Sequence, residues 1–190
     1  TSAEFQQMSI RFDELFHHHM ALFAPFHWGI QRLSFDHSLL LDGTFRIQVL
    51  EAVMPDGLVV CDRPDTAGDL TVDLTPYTEA MKKGPVTIHL AVPEKKIGID
   101  TPAGTLDRYR SIEGKPVADE NTGEAELAIP RLVPRLSLLV TDTPPSKYTS
   151  FPLVKVAYEN EAYSLTDYIA PTLRVTVRSP IGEMCAVTIR

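Results

Sequence analysis

The sequence predicts a mainly β protein, an antiparallel β-sandwich preceded by one amphipathic N-terminal helix. Three observations predict it. Apolar side chains recur at helical spacing from Phe5 to Leu22. From Ile30 onward, short segments alternate apolar and polar residues between proline- and glycine-containing turns. The chain of 190 residues is 44% apolar, enough to build one core around such elements.

The helix comes first. Phe5, Met8, Phe12, Leu15, His19 and Leu22 stand 3, 4, 3, 4 and 3 residues apart, with Phe16 and Phe23 beside them. Ser2 can cap the start, and Pro25 forbids a continuation, so the helix should run from about Ala3 to about Phe23. His17, His18 and His19 project about 100° apart on it and cannot share one ion. Asp13 with His17, and Glu14 with His18, have the four-residue spacing of a metal pair. Solvated acid–histidine pairs near a helix C-terminus explain the same spacing, and no metal ligand or cofactor is assigned. His19 lies on the apolar stripe and is expected to be partly buried. Phe26 and Trp28 are expected to anchor the helix to the sheet. Gly29 is expected to allow the turn into the first strand.

The strands follow in order. Ile30–Asp36 should be the first, with Leu33 and Phe35 on one face. Thr44–Met54 places Phe45, Ile47 and Val49 on one face. It runs into Pro55-Asp56-Gly57, a turn in which Gly57 takes positive φ, and Leu58–Asp62 returns as the hairpin partner. Asp69–Leu74 is a further candidate. Val86–Val92 points Val86, Ile88, Leu90 and Val92 inward and His89 toward solvent. Residues 93–125 carry glycines, prolines and charges and read as a long surface loop or hairpin excursion. Their acids Asp107, Glu113, Asp119, Glu120 and Glu124 read as solvated. Strands resume near Ala125–Val133, Arg135–Thr141, Phe151–Glu159, Ala162–Asp167 and Pro171–Val177. Pro130, Pro134 and Pro152 suggest strand ends or edges.

Composition removes several functions. With 18 basic and 25 acidic residues, the net charge is −7, which argues against nucleic acid as the main partner and gives no reason to expect attraction to anionic lipid. No apolar run is long enough to cross a membrane, and no signal peptide opens the chain. Two distant cysteines, Cys61 and Cys185, fit a reduced, cytoplasmic setting better than a disulfide scaffold. No nucleophile elbow, zinc-protease motif, paired C-x-x-C or dinucleotide fingerprint occurs. Asp36, His37 and Ser38 are consecutive on an expected strand and cannot form a relay. Two other classes remain open: a ligand- or carbohydrate-binding sandwich using Tyr77, Tyr109, Tyr148, Tyr158, Tyr163 and Tyr168, and a metal enzyme using His17, His18, His19 and His27.

The ordered segments carry a resemblance. EFQQ (Glu4 to Gln7) opens the helix, PFHWGIQRLSFD leads into the first strand, and LLLDGTFRIQVLEAVMPDGLVV contains the Pro-Asp-Gly turn. The later segments AIPRLVPRLSLLV, YTSFPLVKV and YIAPTLRV continue the order. Together they resemble the TssK (ImpJ/VasE) family of type VI secretion baseplate subunits over nearly the whole chain. The resemblance implies a β-sandwich shoulder domain over residues 1–178, like that of phage receptor-binding proteins. It implies that residues 179–190 begin the connection to a neck and C-terminal head. It further implies a structural adaptor without catalysis. The partners implied are the TssF and TssG wedge, two further copies in a homotrimer, and the membrane complex through the head alone. Members of the family are longer, which makes this chain the shoulder part. Phe5, Gln6, Met8, Phe12 and Phe16 are the candidate protein interface. Phe26, Trp28, Gly29, Pro55, Asp56 and Gly57 are candidate structural motifs.

Overall fold

The computed structural model of the chain describes residues 2–62, 70–95, 107–113, 116–117, 127–128, 130–177 and 179–188. Within these, nothing is described of the side chains at positions 2, 3, 5, 6, 62, 116, 117, 127, 128 and 180.

The N-terminal helix α1 spans Ser2–Phe23, one residue longer at its start than expected. The first sheet combines β1 (Gly29–Phe35), β2 (Thr44–Val53) and β3 (Val59–Asp62) in that order, with β4 (Thr71–Asp73) on the other end of β2. The second sheet places β5 (Val86–Pro93) between β10 (Ser137–Val140) and β11 (Tyr148–Glu159), with β12 (Ala162–Leu165) outside β11. All these pairings are antiparallel. Short helices α2 (His37–Leu41) and α3 (Thr78–Met81) fill the connections. Of the expected excursion over 93–125, the described residues form β6 (Tyr109–Ile112), paired with β9 (Arg131–Pro134), and β7 (Pro116–Val117), paired with β8 (Leu127–Ala128). Residues 96–106, 114–115 and 118–125, with Asp119, Glu120 and Glu124, lie outside the described ones. Helix α4 covers Pro180–Thr188.

One core joins the two sheets. Phe45, Ile47, Leu50, Ala52 and Val60 meet Ile88, Leu90, Val92, Phe151, Leu153 and Val156. Alternation alone sends Val49 inward with Phe45 and Ile47, but Leu50 and Ala52 are buried instead. Ser34 pairs with Val49 and Phe35 with Ile47, so Gln48 is the extra residue of a β-bulge. A bulge shifts the side-chain period by one, and the inward face changes parity there.

Two further expectations are corrected. Asp36, His37 and Ser38 are not consecutive strand residues: Asp36 caps α2, its Oδ1 accepting from the Ser38 and Leu39 amides at 3.0 and 3.2 Å. Pro152 lies inside β11 and, as expected, where that strand is a sheet edge. It is tolerated because β12 pairs only with residues 156–159, so at Pro152 the strand has β5 alone as neighbour, with a bulge before Val154. Pro171–Val177 forms no strand. Only Thr172 makes a bridge, parallel to Ile30, and Leu173, Val175 and Val177 stay exposed. That bridge explains Gly29. The Ile30 amide donates to Pro171 O at 2.9 Å, so the segment crosses against Gly29, whose φ is +134° and where a Cβ would stand 2.8 Å from the same oxygen.

Candidate protein interface

Helix α1 turns its apolar stripe away from the sandwich. At about 100° per residue, Glu14, His17 and Ala21 share one side, while Met8, Phe12, Leu15, Phe16, Leu22 and Phe23 lie on the roughly opposite side. His17 and Ala21 are half-buried against the body, and Glu14 reaches Lys95 beyond β5 at 3.9 Å. The apolar stripe faces outward: Phe12 is 64% exposed, Phe16 70% and Phe23 87%. The helix thus turns its more polar side to the sandwich and its aromatic side to solvent. Monomeric soluble proteins rarely expose a contiguous apolar stripe of this kind, which makes this side of α1 the candidate interface.

The residues named from sequence divide accordingly. Met8, Phe12 and Phe16 are together on the outer stripe; Phe5 and Gln6 lie on the same helix, with their side chains outside the described ones. Phe26 is 83% exposed and does not anchor the helix, because the chain past Pro25 carries it to the solvent side. Trp28 does pack on the core, its ring 5.9 Å from Phe151. His19, expected to be partly buried, is exposed because the stripe it belongs to faces solvent.

The Pro55-Asp56-Gly57 turn is where α1 meets the body. Gly57 has φ +82°, and the His17 ring lies directly over it, leaving no room for a Cβ. Asp56 Oδ1 accepts from the Leu58 amide at 3.2 Å and closes the turn. Asp56 Oδ2 accepts from Arg108 Nη2 at 2.7 Å. Arg108 is only 7% exposed and also donates from Nη1 to Pro93 O at 2.7 Å, while its own carbonyl accepts from the Arg135 amide. One guanidinium therefore ties the turn, the end of β5 and the start of β6 together. Sequence reading missed Arg108, since a lone arginine in a charged segment gives no periodic signal.

The His27 ring lies beside that of His17, centres 5.1 Å apart and planes tilted by 59°, and donates from Nδ1 to Ala24 O at 2.9 Å. His17 Nδ1 and His27 Nε2 are buried without a hydrogen-bond partner. Among the described residues no group of three or more His, Cys, Asp or Glu side chains is placed to hold a metal ion. The tyrosines form no platform. Tyr163 is buried against Tyr158 and bonds Thr78 through its hydroxyl, Tyr168 lies under Lys155, and Tyr77 packs on the core. Tyr109 and Tyr148 sit apart from these, beside Arg108 and Lys147.

His89, expected at the solvent face, is 7% exposed. Both faces of β5 are covered, so alternation assigns its side but not its environment. Burial lowers its pKa below the ordinary histidine value, against the opposing pull of Asp142 and a Thr141 backbone hydrogen bond. The unfolded chain then binds a proton at higher pH than the folded one. Stability from this group is complete above about pH 6.5 and declines as pH falls below it, by at most about 1.4 kcal/mol per pH unit. Urea unfolding from about pH 8 to about pH 5.5 should show that decline, and His89→Leu should flatten it. An equal slope in the variant would assign the effect elsewhere.

Among the described residues, two packed antiparallel sheets carry a helix whose apolar stripe faces outward. The chain belongs to the bacterial type VI secretion family described as VC_A0110, EvfL, ImpJ, VasE, whose model matches residues 4–189. The fold is shared with solved structures. A crystal structure of TssK is 18% identical with a TM-score of 0.81, over 100% of this chain and 43% of that one. A TssK–TssF–TssG baseplate subcomplex seen by cryo-electron microscopy matches at 20% identity and TM-score 0.76, over 97% of this chain and 62% of that one. A type VI secretion baseplate complex matches at 19% and 0.74, over 91% and 39%. The chain thus spans less than two thirds of these proteins. A search of curated proteins finds no match. No helix among the described residues is long and apolar enough to cross a membrane.

Proposed function

We propose that the chain is the β-sandwich part of a type VI secretion baseplate subunit and acts as a non-enzymatic adaptor in the cytoplasm. The observation that carries the reading is the outward apolar stripe of α1, with Met8, Phe12 and Phe16 as its centre. A structural subunit needs such a face, and an isolated domain does not. The matched subcomplex of TssK with TssF and TssG supports a wedge of that kind as the partner. In this reading residues 1–178 form the docking domain, and 179–190, which contain α4, begin the connection to the rest of the subunit. Trimer formation and contact with the membrane complex then belong to the longer protein. Phe26, exposed beside the stripe, extends the same face, while Trp28, Gly29, Pro55, Asp56 and Gly57 hold α1 on the body.

The test is co-purification of the 190-residue chain with the TssF–TssG pair encoded in the same genome, with complex mass read by light scattering. A stable complex is the expected result. A folded, monodisperse chain that leaves the pair unbound would overturn the assignment of wedge docking to this domain.

A further inference from the structure

We propose that the outer stripe of α1 is covered by one amphipathic helix of the partner, which carries apolar side chains at heptad spacing and a polar acceptor opposite His19. The inference rests on the adaptor reading and names the chemistry of the surface that fits the stripe.

The spacing selects the shape of the occupant. Met8, Phe12, Leu15, His19 and Leu22 stand 4, 3, 4 and 3 residues apart, and all five are exposed. At about 1.5 Å of rise per residue, these knobs repeat every ~5 Å along a line of about 21 Å. A second helix with the same spacing offers holes at the same interval and stays in step over the whole line. Side chains on one face of a strand repeat every ~6.6 Å instead. They fall half a period out of step after two intervals, so an extended peptide or a sheet face meshes poorly with the stripe.

The area suits one helix. Phe12, Phe16 and Phe23 leave about 400 Å² of side chain in water. Met8, Leu15 and Leu22 bring the stripe to about 600 Å², three quarters of the ~800 Å² that one partner gives to a standard interface. Phe26, exposed beyond the end of α1, adds to the same side of the account.

His19 selects the identity of the occupant. It is the polar member of the five-residue seam. A polar side chain there is costly to bury unless the facing helix offers it a partner, and it then fixes register and partner choice. A second copy of this chain serves it badly. Laid parallel and in register, the copy crowds Phe12 against Phe12 and His19 against His19. Laid antiparallel with Phe12 against Leu15, it faces His19 with Met8, whose thioether is a weak acceptor. A helix of different sequence can place Asp, Glu, Asn or Gln at that position and accept from the imidazole N–H.

The test places the photocrosslinking side chain benzoylphenylalanine at position 8, 12 or 15 of the 190-residue chain in turn. Each chain is mixed with the TssF–TssG pair and irradiated, and the attached residues are mapped by mass spectrometry. Crosslinks that step by three or four residues along one partner segment are the expected result. Crosslinks that step by two, scatter over several segments, fail to form, or join only a second copy of this chain overturn the inference, while co-purification with the pair still upholds the adaptor reading. A chain that does not bind the pair overturns that reading and the inference with it. His19→Leu should weaken association with the pair about tenfold, and His19→Gln should preserve it. Equal affinity of the leucine variant would overturn the acceptor opposite His19.

Discussion

Arg108→Leu is expected to lower the unfolding free energy by about 3 kcal/mol, read as a fall in the urea midpoint. The effect comes from what the guanidinium leaves behind. Asp56 Oδ2 loses its 2.7 Å partner, and Pro93 O loses a donor at the same distance. Asp56 keeps the Leu58 amide on its other oxygen and some contact with water, which places the loss at the lower end for a broken buried pair. Asp56→Asn in the Arg108→Leu background should recover part of the loss, because the stranded charge is then gone. A double-mutant cycle with no coupling between the two would show that Arg108 acts by packing alone. The turn also carries Gly57 beneath His17, so the variant should loosen α1 as well as the body.

Phe12→Ser with Phe16→Ser should show the opposite pattern. At 64% and 70% exposure, the two rings contribute little to the isolated domain, and the unfolding midpoint should move by no more than about 0.5 kcal/mol per site. Had the stripe faced the core, each substitution would cost about 3 kcal/mol or more. Association with the TssF–TssG pair should nonetheless weaken by about a hundredfold or more, as expected when aromatic anchors leave the centre of an interface. Unchanged association at unchanged stability would remove α1 from the docking surface. A large loss of stability would mean that the rings are buried within the chain.

The two outcomes differ because exposure and periodicity are different quantities. The 3-4 spacing from Met8 to Leu22 identifies a helix and its apolar side, and both are present. It does not say where the sandwich lies. His19 lies on the stripe and is exposed with it, while Phe26, past Pro25, is exposed because of the path the chain takes after the helix. His89 shows the equivalent in a strand, where alternation separates two faces but cannot tell that both are covered. The parity change after Ile47 needed the register with β1, and the exposed Leu173, Val175 and Val177 needed knowledge that no neighbouring strand lies beside them.

What the sequence determined by itself was local. The helix with its end before Pro25, the hairpin closed by Pro55-Asp56-Gly57 and most of the alternating strands follow from side-chain order, because propensity, turn chemistry and hydrophobic period act over a few residues; the type VI secretion family was legible only as a resemblance of ordered segments. What only the tertiary structure decided was which surfaces meet. The Arg108–Asp56 pair joins residues 52 positions apart, Gly29 is required by a segment that arrives from Pro171, and α1 is turned outward with His17 beneath it. Such contacts depend on the path of the whole chain, and short-range patterns carry no record of that path.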